Sequence, residues 1–185
     1  MHYAGTRNRR NRHVEIRLLN ERDAQALWNF RMLALQSDPW SFVESPQELQ
    51  NIPAVEYATR LSANKTDHAE NFVYGAFVQE KLLGMVGFYQ EQPLKRRHKG
   101  WIWGVFVAPE ARGQGLAKKL MSETIDRAAK IPGLEIILLT VSVGQTVPRS
   151  LYESLGFRSI GIEPQGLKIG PDHLDEEHMY LKLRE

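Results

Sequence analysis

The chain has 185 residues, 42% hydrophobic and 25% charged, a length and composition suited to one globular domain. Its net charge is +2, but Arg7, Arg9, Arg10 and Arg12 stand near the start; without them 20 basic residues face 22 acidic ones, so the folded body offers no strongly basic surface for nucleic acid. Cysteine is absent, which excludes a disulfide scaffold, Cys-based zinc sites and a thiol nucleophile, and no apolar run approaches the ~18 residues of a membrane span.

In chain order, residues 1–13 read as a mobile basic tail; they lack the apolar helical face of a transit peptide. Residues 14–19 alternate as a strand. Asn20 is placed to cap a helix from Glu21 to about Gln36, with Ala24, Leu27, Trp28, Met32 and Leu35 as its apolar stripe. A loop carrying Trp40 and Phe42 follows, then a second helix over 46–61 interrupted near Pro53. Residues 72–79 and 82–90 form a hairpin turning at Glu80-Lys81. A polar loop with Lys95, Arg96, Arg97, His98 and Lys99 leads into a strand over 101–107, whose Trp101, Trp103, Val105 and Val107 fall on one face. A helix from about Gly113 to Lys130, a nearly all-apolar strand over 134–143 and a short helix over 146–155, stopped by Gly156, come next. Strands over 157–162 and about 179–183 close the chain. This order predicts an α/β fold: a mixed, mostly antiparallel sheet flanked by helices, forming one domain over 14–185.

The most informative segment is Arg112-Gly113-Gln114-Gly115-Leu116-Ala117, where a strand turns into a helix. Unpaired N–H groups at a helix start attract anions, glycines let phosphate oxygens approach the backbone, and Arg112 adds a multidentate cation. The chemistry this suits is pyrophosphate binding. A dinucleotide fold needs a third glycine where Lys118 stands, and a P-loop needs Gly-Lys-Ser/Thr at a spacing that Gly113 does not offer.

The same segment matches the Gln/Arg-x-x-Gly-x-Gly/Ala pattern of GNAT-type N-acetyltransferases, and Leu151-Tyr152-Glu153-Ser154-Leu155-Gly156-Phe157 resembles that family's Leu-Tyr-Glu-x-Leu-Gly-Phe motif. The resemblance covers about 101–157, and segment 164–170 is similar to the tails of bacterial members. It implies a single-domain fold with splayed central strands, acetyl-CoA as cosubstrate, and acetyl transfer to a primary amine of a small molecule, peptide or protein by direct attack in a ternary complex; the six histidines show no metal-ligand spacing, so no metal is expected. It also implies that Phe106, Val107, Arg112, Gly113, Gln114, Gly115, Leu116, Ala117, Lys118, Gln145 and Tyr152 contact the coenzyme. The Val107 N–H would hold the oxyanion, and Tyr152 would protonate the departing thiolate.

Two positions depart from the pattern: Gln145 stands where Asn is common, and Pro148 where Ala is common. The strand before the phosphate turn also lacks the Glu that serves many members as general base. Glu44 in the loop beside the acceptor region, Glu91, His98 or a water relay remain as candidates. A non-catalytic acyl-CoA sensor or scaffold on the same fold is the alternative reading. The expected partners are acetyl-CoA and an amine acceptor, with no nucleic acid and no membrane, for a cytoplasmic monomer or homodimer. The basic loop over 95–99 is either a solvated tip or an attractant for an acidic substrate or the 3′-phosphate of CoA.

Overall fold

A computed structural model describes residues 13–62 and 70–183; the expected basic tail lies outside the described residues, apart from His13. The chain runs β1 (Val14–Leu18), α1 (Ala24–Ser37), α2 (Pro46–Gln50), α3 (Ala54–Ser62), β2 (Asn71–Val78), β3 (Lys81–Gln90), β4 (Lys99–Val107), α4 (Leu116–Ala128), β5 (Ile136–Ser142), α5 (Thr146–Ser154), β6 (Arg158–Ile169) and β7 (Asp172–Lys182). One seven-stranded sheet has the order β1-β2-β3-β4-β5-β7-β6. Among the described residues, only the β4–β5 pair is parallel. The expected α/β mixed sheet is the architecture found.

Two apolar layers cover the sheet. Leu27, Phe30 and Leu35 of α1 and Tyr57 and Leu61 of α3 pack with Val73, Phe77, Met85 and Phe106 on one face. Leu120, Met121 and Ala128 of α4 and Tyr152 of α5 pack with Val86, Ile102, Ile137, Leu139 and Met179 on the other. The inward face of α1 differs from the stripe expected: Phe30, Arg31 and Ala34 are buried, while Trp28 and Met32 are half-buried. A buried arginine there breaks the apolar period, which is why the stripe concealed it.

Three local corrections to the sequence reading follow from backbone geometry. The β2–β3 turn is Gln79-Glu80, one residue earlier than expected, because Val78 pairs with Lys81 and both turn residues have positive φ, 49° and 65°. In β4, Gly104 (φ +63°) adds a residue against β3, so Met85 pairs with Phe106 while Gly87 pairs with Trp103. This bulge ends the strict alternation: Trp103 packs with the α1 layer and Val105 with the α4 layer, so they do not share a face. The last two strands are far longer than expected, 12 and 11 residues. Most of β6 is exposed, and an outer strand exposed on both sides shows no apolar alternation and tolerates Pro164.

The start of α1 is fixed by charge. Asn20 and Asp23 form a capping box around the 3-10 turn Glu21–Asp23, and Arg17 of β1 grips both Asp23 oxygens at 2.7 and 2.8 Å. The Arg17 guanidinium holds the Asp23 carboxyl below its ordinary range. A depressed carboxyl stabilises the fold above its unfolded pKa and loses that contribution as pH falls through its folded value. Asp23→Asn should therefore cost about 1–2 kcal/mol at pH 7 in urea unfolding, and its gap from wild type should close as acid protonates the native Asp23.

Candidate active site

The parallel β4–β5 ladder extends over only three pairs, Lys99 with Ile136 to Trp101 with Leu138. Beyond them the strands part. Ala108 donates to the Leu83 carbonyl of β3 at 2.9 Å; by ladder alternation the Val107 N–H points away from β3, into the gap. A cavity of about 1420 Å³ fills this opening and reaches both sides of the sheet.

One wall is the turn before α4. Gly113 and Gly115 both have φ +74°, a conformation L side chains rarely adopt, and a Cβ at either would meet no atom within 4 Å. Among the described residues, nothing therefore crowds the side-chain positions of this turn. The α4 N-terminus has no side-chain cap, and Lys119 donates to the Gly115 carbonyl at 3.1 Å, so the N–H groups of Leu116, Ala117 and Lys118 precede the helical bonding pattern. Together with Lys118 on the cavity wall, these donors have the chemistry that attracts an anion. Arg112 lines the cavity too, but its guanidinium is occupied within the chain. It pairs with Asp38 in the loop after α1, and its Nε donates to the Val107 carbonyl at 3.0 Å.

On the α5 side stand Gln145, at the start of that helix, and Tyr152. Burial pushes the Tyr152 phenol far above its ordinary range, so it keeps its proton at any working pH. On the α1 side the walls include Phe42, Glu44, Trp101 and Trp103. Glu44 is ion-paired with buried Arg31, whose guanidinium also lies 4.9 Å from the Trp103 ring. Trp40 is not on the wall; its carbonyl accepts the Ser142 hydroxyl, tying the loop to the end of β5.

Of the residues singled out in the sequence, Glu44, Phe106, Val107, Arg112, Gly113, Gly115, Leu116, Ala117, Lys118, Gln145 and Tyr152 line this one cavity. Gln114 is exposed and off the wall. Glu91 and His98 are also outside it; Glu91 pairs with Arg96 and accepts the Trp101 indole N–H at 3.0 Å. The basic loop lies at the opposite end of β4 from the phosphate turn, ~27 Å away along nine residues of strand. It is therefore badly placed for a phosphate at that turn, and Arg96 and Arg97 are paired with Glu91 and Glu70.

The sequence reading passed over Glu176 on β7. It lies on the cavity wall and is 9% exposed. Burial raises its carboxyl above the ordinary range, opposed by a hydrogen bond from the Thr140 hydroxyl and by the nearby His178. Among the described residues it has no ion-pair partner, in contrast to Asp38 and Glu44 on the same wall. The surrounding run Asp172-His173-Leu174-Asp175-Glu176-Glu177 reads as a solvated acidic stretch, so only the strand register reveals which acid turns inward.

Comparison with known proteins places this geometry. The model of the acetyltransferase (GNAT) family matches residues 29–157. A human N-acetyltransferase 8 is 33% identical over 84 residues, 45% of this chain and 37% of that protein. A spermidine N(1)-acetyltransferase of Vibrio cholerae is 28% identical over 115 residues, 62% of this chain and 65% of that protein. The chain thus spans about a third to two thirds of the length of these curated relatives. An acetyltransferase of the GNAT family from Streptococcus pneumoniae superposes with a TM-score of 0.82 at 22% identity, covering 92% of this chain and 99% of the other. An acetyltransferase from Salmonella typhimurium, solved with its cofactor acetyl-CoA, superposes at 0.80 with 21% identity, covering 94% and 95%. The chain belongs to the GNAT acetyltransferase family.

A buried carboxyl with a raised pKa opposes folding when ionised: the stability it allows is present at low pH and falls as pH rises through the folded value. Glu176→Gln should raise the melting midpoint at pH 8, and that gain should vanish toward pH 4, as measured by thermal unfolding at the two pH values.

Proposed function

We propose that the protein transfers the acetyl group of acetyl-CoA to a primary amine, by direct attack in a ternary complex. The observation carrying this reading is the single cavity that joins an uncapped, glycine-opened helix start to the gap between β4 and β5, with buried Tyr152 on its wall. The helix amides and Lys118 would take the CoA diphosphate. The pantetheine amides would pair along the unpaired strand edges, as an added strand does. For Arg112 to join the phosphates, its guanidinium would have to leave Asp38 and the Val107 carbonyl.

The chemistry is demanding on the amine side. An alkylamine with pKa ~10.4 is neutral in about one molecule in ~10³ at pH 7, so removing its proton is worth up to ~4 kcal/mol. The neutral nitrogen attacks the thioester carbon, forming a C–N bond. The oxygen gains negative charge, for which the Val107 N–H is a donor. The C–S bond then breaks and the sulfur takes the Tyr152 proton, which the intermediate's ammonium replaces. The products are the amide and the CoA thiol. The acceptor is an amine of a small molecule, a peptide or a protein.

Release of CoA thiol from acetyl-CoA, followed across a panel of amines, tests the reading. Binding of acetyl-CoA with no thiol release for any amine would mark a sensor instead. Gly115→Glu should weaken acetyl-CoA binding at least about a hundredfold, about 2.7 kcal/mol, by setting a charged side chain against the phosphates, as measured by calorimetry. Tyr152→Phe should lower kcat about tenfold to a hundredfold while leaving the KM for acetyl-CoA within about twofold.

A further inference from the structure

We propose that Glu176 is the general base that deprotonates the acceptor amine; this rests on the acetyl-transfer reading above. The argument begins with register. Ser142 of β5 pairs with Glu176, and Thr140 with His178, in an unbroken antiparallel ladder. Opposed residues point to the same face, so Thr140, Ser142, Glu176 and His178 share one side of the sheet. Glu177, the next residue, points to the other side, where Arg149 of α5 binds it at 2.7 Å, and Met179 packs in the layer that holds Tyr152. Glu176 and Tyr152 therefore line one cavity from opposite faces of the sheet, which the β4–β5 gap connects.

That arrangement suits a reaction needing a proton taken from one reactant and given to the other. The acceptor would approach from the face bearing Trp101, Trp103 and Glu176, and the sulfur would lie toward Tyr152. The other acids of the cavity are held by arginines: Asp38 by Arg112, and Glu44 by Arg31. Glu44 is thereby a positioning residue for Arg31 and not the proton acceptor. Glu176 has the Thr140 hydroxyl from β5, the His178–Glu163 pair (2.7 Å) beside it, and the close backbone of Gly166 on β6, where a Cβ would stand 2.9 Å from its Cγ. These contacts fix the carboxyl group and leave it without a counter-charge of its own, apart from what His178 supplies when protonated. The step is balanced: an ammonium N–H bond breaks, its proton moves to a Glu176 oxygen, and the nitrogen lone pair becomes free to attack. Glu176 later returns that proton to water.

The test compares Glu176→Gln, Glu44→Gln and wild type, by thiol release at pH 7 with two amines of similar shape, one of pKa ~10 and one of pKa ~6. Glu176→Gln should lose about a hundredfold in kcat/KM with the basic amine and only a few-fold with the weakly basic one, which needs no base. Acetyl-CoA affinity should be unchanged in calorimetry, which also confirms a folded protein. Glu176→Asp, with its carboxylate drawn back, should fall between. An equal loss with both amines would make Glu176 structural and overturn the inference. So would an amine-dependent loss in Glu44→Gln, or undiminished turnover in Glu176→Gln. Absence of thiol release in the wild type, with acetyl-CoA bound, would instead remove the acetyl-transfer reading and this inference with it.

Discussion

Two neighbouring strands that pair at one end and separate at the other hold most of what is distinctive in this molecule. β4 and β5 each keep a full partner on the far side, β3 and β7, so the sheet does not unravel where they diverge. Between them, however, backbone donors and acceptors are left facing a gap. Each ladder hydrogen bond forgone there is worth about 0.5–1.5 kcal/mol, so the opening needs a cause. The extra residue at Gly104 supplies one, because a bulge adds twist and turns the end of β4 away from its neighbour. The parting strands then feed different layers: Phe106 packs beneath α1 while Leu139 packs beneath α4 and α5.

Charge links the two sides of the cavity. Asp38 reaches across to Arg112 in the glycine turn before α4, and two residues later the Trp40 carbonyl takes the Ser142 hydroxyl at the end of β5. The segment between α1 and α2, which carries Phe42 and Glu44, is thus moored at once to the glycine turn before α4 and to β5. The same Arg112 occupies the Val107 carbonyl, one of the backbone groups that face the gap. A ligand laid along β4 and a ligand seated under this segment would therefore meet the same few contacts.

The legibility of this molecule in its sequence follows from the range over which each cause acts. The strand–turn–helix at Gly113 and Gly115 is local: a backbone turn that needs positive φ is written as glycine, and the helix start is written beside it. Tyr152 was singled out by its place in the Leu-Tyr-Glu-x-Leu-Gly-Phe motif and not by local physics, although the short helix with a glycine stop that carries it is local. The bulge at Gly104 was not, since a glycine in an aromatic strand looks like any weak point of a strand, and only pairing with β3 shows the added residue. Nothing local marks Arg31 as buried, because its partners Glu44 and Trp103 are distant in sequence or on another element. The two closing strands were expected, but their full length was not, because most of β6 is solvated and its strand character comes from hydrogen bonding to β7 and from no apolar period.

Glu176 shows the cost of such an arrangement. Its three companions on that side of the sheet, Thr140, Ser142 and His178, are polar, in a region where neighbouring positions of β5 are wholly apolar. A fold optimised for stability alone would place a hydrophobic residue at a site so little exposed, because the charged form of a buried carboxyl is disfavoured. Tyr152 is buried as deeply on the other face, and burial acts on it in the same sense: it favours the neutral, protonated form, which the phenol would hold at neutral pH anyway. Removal from water thus raises the proton affinity of both groups: the Glu176 carboxylate becomes a stronger base, and the Tyr152 phenol stays protonated. Separating them by the thickness of a sheet keeps the acceptor from taking the donor's proton directly, and the gap between β4 and β5 is where a substrate can stand between them.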